Sequence, residues 1–162
     1  VKIMQLVGVV PQQIAGGDIY PALEKGTIDG AEWVGPHDDE KLGFQRVAQN
    51  YYYPGWWEGQ AMLHLFFNLE KWNALPKFYQ SVLEQAGHQA NTWMMAKYDQ
   101  ANPLALRKLI AGGAKLQALP APVMEACYKA AKELHAEVSA TNADFKKVNE
   151  SLSAFTTDAP TP

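Results

Sequence analysis

Residues 26–40 read GTIDGAEWVGPHDDE, from Gly26 to Glu40. The stretch sets Asp29, Glu32, Asp38, Asp39 and Glu40 around a single tryptophan, Trp33, among glycines and a proline. Carboxylates gathered round an aromatic ring fit a solvated loop, a metal site, an acid/base pair or a ligand pocket. The flanking residues decide how the stretch is presented. "TIDGAEWV", residues 27–34, predicts a short strand. Gly26 before it can take the left-handed backbone that stops a helix. Pro36 after it suits the first turn of a new helix, "PHDDEKLGF", whose early acids favour the positive end of the helix dipole. Asp38, Asp39 and Glu40 are therefore expected as a solvated helix start, and Asp29, before a glycine, as a residue that shapes the turn.

Upstream, "VGVVPQQI", Val7 to Ile14, reads as a strand broken by Gly16-Gly17. Asp18 then offers a carboxylate to cap a short helix, "IYPALEKG". Downstream, "QNYYYPGWWEGQ" reads as an aromatic turn around Pro54-Gly55, and "AMLHLFFN", residues 61–68, as a buried strand apolar on both faces. "LEKWNAL" is a short helix ending before Pro76. From Lys77, Phe78, Val82, Ala86, Ala90 and Trp93 recur at three- or four-residue spacing and define one apolar helix face. Pro103 is expected to kink or break that helix, and Leu104, Leu106, Leu109 and Ile110 continue it to Gly112-Gly113. "AKLQAL" is a strand. Pro120 and Pro122 open a helix running to about Ser139. Asn142 caps a last helix striped by Phe145, Val148, Leu152 and Phe155, and "TTDAPTP" is a frayed tail. Strands interleaved with a majority of helix predict an α/β class. The expected organisation is an α/β segment over 1–68, a helical segment over 69–156 and a disordered tail over 157–162, in one structural unit.

The composition narrows the function classes. In 162 residues, 48% are apolar and the net charge is −3. Lysines and arginines form no run that would grip phosphates, which argues against nucleic acid. No apolar run approaches the roughly 18 residues of a membrane span. The single cysteine, Cys127, excludes an internal disulfide and reads as a buried structural thiol on a helix. The poverty of cysteine does not fix the compartment. "VKIMQLVGVV" lacks the charged, apolar and cleavage-site regions of a signal peptide and lacks an initiator methionine, so the chain reads as if it begins inside a longer one.

No catalytic motif stands in the chain: there is no GxSxG, HExxH, CxxC or Walker loop, and Gly16-Gly17 is too short to cradle a phosphate. His37, His64, His88 and His135 lack ligand spacing, and His64 is expected as a hydrogen-bonded histidine within an apolar strand. Glu32 and Glu58 each lie beside tryptophan and glycine. Glu58 and Gln60 project to the same side of an extended segment. The backbone carbonyl between Glu32 and Trp33 stays available. Carboxylate, amide and carbonyl oxygens together suit a hard cation such as Na⁺ or Ca²⁺, and Trp33, Trp56 and Trp57 suit the apolar walls of a small-ligand site. The other reading, which composition alone favours, is that the acids are loop surface and the tryptophans are core.

"GGDIYPALEKGTIDGAEWVGPHDDEKLGF", "YYYPGWWEGQ" and "FFNLEKWNALP" together resemble the extracytoplasmic solute receptors of TRAP transporters, the tripartite ATP-independent periplasmic transporters. The resemblance is densest from Gly8 to Pro76 and points to the branch that binds 2-oxo acids. It implies a two-lobed periplasmic solute-binding fold, of which this chain resembles the C-terminal half. It implies a periplasmic setting, partnership with TRAP membrane subunits, and a small 2-oxo or 2-hydroxy monocarboxylate as ligand, with Na⁺ or Ca²⁺ bridging ligand and protein. It assigns Glu32 and Trp33 to both ligand and cation, Gln60 to the ligand and Glu58 to the cation, and leaves Asn68 structural. The family's carboxylate-binding arginine lies upstream of Val1; Arg46 and Arg107, the only arginines here, stand in other contexts.

Two function classes follow: the solute-binding component of a transporter, or a stand-alone interaction domain derived from such a receptor that no longer binds the acid. No enzyme is expected, because no nucleophile and base are paired. A receptor half would expose apolar strands and helices, which predicts a homo-oligomer, in the simplest case a dimer.

Overall fold

The computed structural model describes residues 1–57, 61 and 63–158. Seven α-helices and two short strands occur among them: α1 (Lys2–Leu6), α2 (Gly16–Glu24), α3 (Pro36–Leu42), β1 (Asn50–Tyr53), α4 (Leu69–Ala74), α5 (Lys77–Ala111), β2 (Lys115–Ala118), α6 (Ala121–Thr141) and α7 (Ala143–Asp158). The helix-rich α/β class is as the sequence predicts. Contacts group the chain into two compact units, residues 15–118 and residues 1–14 with 119–162.

In the unit 15–118, β1 and β2 pair in parallel, with Asn50 opposite Lys115 and Tyr53 opposite Ala118. Parallel strands need a long crossover, and α4 and α5 supply it. The pairing is extended by Lys115 N–H donating to Gln49 O at 2.7 Å and by Gln117 Nε2 donating to Asn50 Oδ1 at 2.9 Å. β2 falls where "AKLQAL" predicts it. β1 falls inside the expected aromatic turn, of which Gln49 and, after Tyr53, residues 54–57 are described outside the strand.

Helix ends carry local chemistry that explains their positions. Asn68 caps α4, its Oδ1 accepting from the Lys71 amide at 3.1 Å. The residues on either side of that cap, Phe67 and Trp72, pack ring to ring at 4.9 Å, forming the staple that fixes how a chain enters a helix. Buried Gln80 then joins α4 to α5: its Nε2 donates to the carbonyls of Trp72 and Leu75, at 2.7 and 3.1 Å. α5 closes at Gly112-Gly113 as expected, the Gly113 and Ala114 amides donating to Ile110 and Leu109.

α5 is 35 residues long and runs unbroken through Pro103. The expected break is absent. Proline there forfeits one helical hydrogen bond, and the burial of Ala105 and Leu109 just beyond it, Leu109 with only 1% of its surface exposed, holds the last turns in place. The expected apolar face is present but uncovered: Phe78 is 73% exposed, and Val82, Trp93 and Leu104 are also exposed. The buried apolar side chains described in this unit are few, with Ile19 and Leu23 on α2 and Ala114 before β2 joining Ala105 and Leu109.

Three predicted strands are not formed. Residues 7–15, 27–35 and, among the described residues, 61 and 63–68 have irregular backbone. A strand needs a neighbour for its amides and carbonyls, and β1 and β2 form the one ladder among the described residues. Leu63, Leu65 and Phe66, expected inside a sheet, are exposed, Phe66 to 87%. His64 is exposed too, its ring stacked near that of Phe66 at 5.9 Å.

In the other unit, α6 packs with α1 and α7 and buries Cys127 and Ala130. The buried thiol matches the sequence reading. Lys2 Nζ meets Glu137 Oε1 at 2.5 Å. Asn142 caps α7 as expected, accepting from the Phe145 amide at 2.9 Å. α7 continues to Asp158, so Thr156 and Thr157, expected in the frayed tail, are helical, their hydroxyls donating to the Ser153 carbonyl. Residues 159–162 of the expected tail lie outside the described residues. Val148, Leu152 and Phe155 form the predicted stripe and are exposed.

Candidate functional site

The loop carrying Glu32 and Trp33 is set at both ends by glycine. At its start α2 closes in a Schellman motif: Gly26 N–H donates to Leu23 O at 3.1 Å and Thr27 N–H to Ala22 O at 2.9 Å. Gly26 has φ +67° there, in the left-handed region. The helix begins at Gly16, with Ala15 as its N-cap, so Asp18 lies inside the first turn rather than capping it. At the loop's end, Gly35 has φ 155° and ψ −177°, a conformation essentially confined to glycine. Gly35 also precedes α3 without a side chain to cap it. Asn102, from α5, supplies the missing acceptor: its Oδ1 takes the His37 amide at 3.1 Å.

Trp33 rests on the first turn of α2. A Cβ built on Gly16 would stand 2.5 Å from the Trp33 ring, so that close approach requires glycine at position 16. Trp33 is 37% exposed as a residue, with part of its ring packed on α2. Glu32 is exposed beside it, on irregular backbone rather than on a strand. Trp56 and Trp57, the other expected walls, pack edge to face on each other at 5.6 Å after β1. Glu58 and Gln60 lie outside the described residues.

Asp38, Asp39 and Glu40 are not the solvated start the sequence suggests. Each has a distant partner. Tyr98 on α5 donates to Asp38 Oδ2 at 2.7 Å, and this bond, foremost, raises the tyrosine pKa. The His37 and Tyr98 rings meet edge to face at 5.9 Å. Lys108 lies 3.9 Å from Glu40. Asp39 is buried, with 6% of its surface exposed, and accepts the Tyr51 hydroxyl from β1 at 2.5 Å on Oδ2. Burial raises the Asp39 pKa above the usual carboxylate value. The Tyr51 bond opposes that rise most, the Gly35 amide opposes it next, the nearby Asp38 charge adds to it, and the Val34 amide opposes it. Burial and the Asp39 contact push the Tyr51 hydroxyl well above the usual tyrosine range, so it stays a donor at any ordinary pH. The sequence hid these partners because they come from β1 and α5, 12 and 60 residues away for Tyr51 and Tyr98. The available signal was Gly35 itself, which cannot cap the helix that follows it.

Among the described residues no group of three or more His, Cys, Asp or Glu gathers into a metal site. Glu32 and the Trp33 carbonyl are hard oxygen donors of the kind calcium and sodium take, and they fit as part of a ligand set rather than a complete one. Among the described residues, no helix is long and apolar enough to cross a membrane.

Comparison with known proteins places this architecture. Residues 1–142 match the family model described as bacterial extracellular solute-binding protein, family 7. The chain is 46% identical over 154 residues to a monocarboxylate 2-oxoacid-binding periplasmic protein of Nostoc sp., covering 95% of this chain and 42% of that protein. A TRAP transporter solute-binding protein from Bordetella bronchiseptica, solved as a mixed-occupancy dimer with copurified calcium and picolinate in one site, is 50% identical with a TM-score of 0.83, over 96% of this chain and 49% of that one. A TRAP periplasmic solute-binding protein from Pseudoalteromonas atlantica, solved with sodium and pyruvate, is 32% identical with a TM-score of 0.87, over 94% and 47%. This chain thus spans somewhat under half the length of these relatives. The match over most of its residues shows that the chain belongs to the bacterial extracellular solute-binding proteins of family 7.

Proposed function

We propose that this chain supplies the Glu32–Trp33 side of a site for a small 2-oxo or 2-hydroxy monocarboxylate and a bridging Na⁺ or Ca²⁺, in a periplasmic receptor that delivers the acid to TRAP membrane subunits. The observation that carries it is the construction of the 26–35 loop. Two glycines, the Gly16 contact and the α3 anchors hold Trp33 half packed and Glu32 at the surface. That arrangement presents an aromatic face and hard oxygens to a ligand. The relatives with bound calcium or sodium beside pyruvate or picolinate support the same chemistry.

In this reading Glu32 and the Trp33 carbonyl hold the cation, with Glu58 as a further cation ligand and Gln60 on the acid. The cation, when bound, neutralises the carboxylate of the acid. Trp33 covers an apolar side of the ligand. The family's carboxylate-binding arginine has no counterpart at Arg46 or Arg107, so the chain by itself does not hold the acid tightly; a protein of the relatives' length does.

Trp33→Ala tests the wall. Its ring is partly packed on α2, so only the open part contributes to binding, and the loss of affinity for pyruvate should be several-fold, ~1 kcal/mol from the apolar area exposed. A melting curve run beside a calorimetric titration of pyruvate, in a protein of the relatives' length carrying this chain, separates wall from core. Unchanged affinity with a large fall in melting temperature would reject the wall.

A second reading, an interaction domain that no longer binds the acid, is favoured by a different observation: the exposed apolar residues Leu63, Leu65 and Phe66 and the uncovered face of α5. It predicts that no pyruvate binds even in the longer protein.

A further inference from the structure

We propose that Tyr51 and Asp39 form a latch that fixes the loop bearing Glu32 and Trp33 to the β1–β2 pair, with Tyr51 as a positioning residue for the site. The clause about the site rests on the reading of Glu32 and Trp33 given above; the latch itself does not.

α3 does not need Asp39 in order to stay on α5. Asn102 holds the His37 amide, Tyr98 holds Asp38, and Lys108 faces Glu40. A buried carboxylate at position 39 is therefore costly and superfluous for docking that helix, since an apolar side chain would pack there without a desolvation penalty. What Asp39 gathers is different. Its Oδ2 takes the Tyr51 hydroxyl, while its backbone amide donates to Gly35 O, at the end of the loop, at 2.9 Å. Its Oδ1 is buried with no hydrogen-bond partner among the described residues. Asp39 thus joins the end of the loop, through its amide, to Tyr51, through its carboxylate. Tyr51 in turn sits in the parallel ladder opposite Leu116. The line of contacts runs from the Gly35 carbonyl, two residues after Trp33, to Asp39, to Tyr51 and into the sheet. Gly35, in its glycine-only conformation, is the link most in need of such a hold.

Tyr51→Phe removes only the hydroxyl. Hydrogen exchange read by mass spectrometry on this chain tests the latch. Amides of the peptide spanning residues 28–35 should exchange faster by on the order of tenfold, the effect of losing one hydrogen bond to a charged group, while amides in the middle of α5 keep their rate. Unchanged loop exchange, or equal acceleration of loop and α5, overturns the latch. In a protein of the relatives' length carrying this chain, Tyr51→Phe should also weaken calcium-dependent pyruvate binding several-fold. A loosened loop with unchanged pyruvate affinity overturns the positioning role. A wild-type protein that binds no pyruvate instead rejects the proposed site, and the exchange result still decides the latch.

Discussion

Glu32→Ala is expected to lower the affinity for pyruvate in the presence of calcium by more than tenfold, a loss of at least ~1.4 kcal/mol. A hard cation held by oxygens depends on the charge and number of its ligands, and Glu32 is the one carboxylate the described site loop places beside Trp33. Its removal should cost more than loss of the Trp33 ring, because the cation and the acid it bridges are lost together. Glu32 is exposed, so fold stability should change little, surface substitutions usually staying within about 0.5 kcal/mol. A calorimetric titration of pyruvate with calcium chloride present, paired with a melting curve, reads both quantities in a protein of the relatives' length. Equal affinity with and without Glu32 would remove it from the site.

The chain alone should self-associate, with a scattering mass near twice that of the monomer at low micromolar concentration. The reason is the balance of its surface. Phe78, Val82 and Trp93 lie open along α5, Leu63, Leu65 and Phe66 lie open before α4, and Val148, Leu152 and Phe155 lie open on α7. Apolar patches of that extent on a soluble chain mark surfaces that seek a partner, and closed two-fold pairing is the commonest way for a chain to satisfy such a surface with itself. The Bordetella bronchiseptica relative was solved as a dimer. Multi-angle light scattering across a dilution series is the direct measurement. A compact monomer at every concentration would show that these faces need no cover, and the proposed dimer would fall.

Helices were legible in the sequence wherever their ends carry local chemistry. Asn142 caps the helix it was expected to cap, Asn68, read only as structural, caps α4, Gly26 and Gly112-Gly113 stop their helices, and α3 starts at Pro36. Strands were less legible, because an extended run becomes a strand only if another lies beside it. Residues 7–14, 27–34 and, among the described residues, 61 and 63–68 have the apolar content of strands and find no neighbour, whereas Asn50–Tyr53, read as part of an aromatic turn, pairs with β2. Pro103 does not break α5, because the packing of Ala105 and Leu109 outweighs one lost hydrogen bond. The site loop was legible in composition and not in support. Glu32 and Trp33 stand out in "GAEWVGP", but Gly16, Tyr51 and Asn102, which shape the loop from other elements, are separated from it by distances along the chain that no local pattern spans. Asp38 to Glu40 were misjudged for the same reason, since their tyrosine and lysine partners come from β1 and α5.

The measurement that bears most directly on the account is a calorimetric titration of pyruvate into a protein of the relatives' length carrying this chain, run once with calcium chloride and once in sodium-free buffer with a calcium chelator. The account predicts binding in the first run and its loss, or a fall of more than tenfold, in the second. Equal affinity in both, or no binding in either, would contradict it.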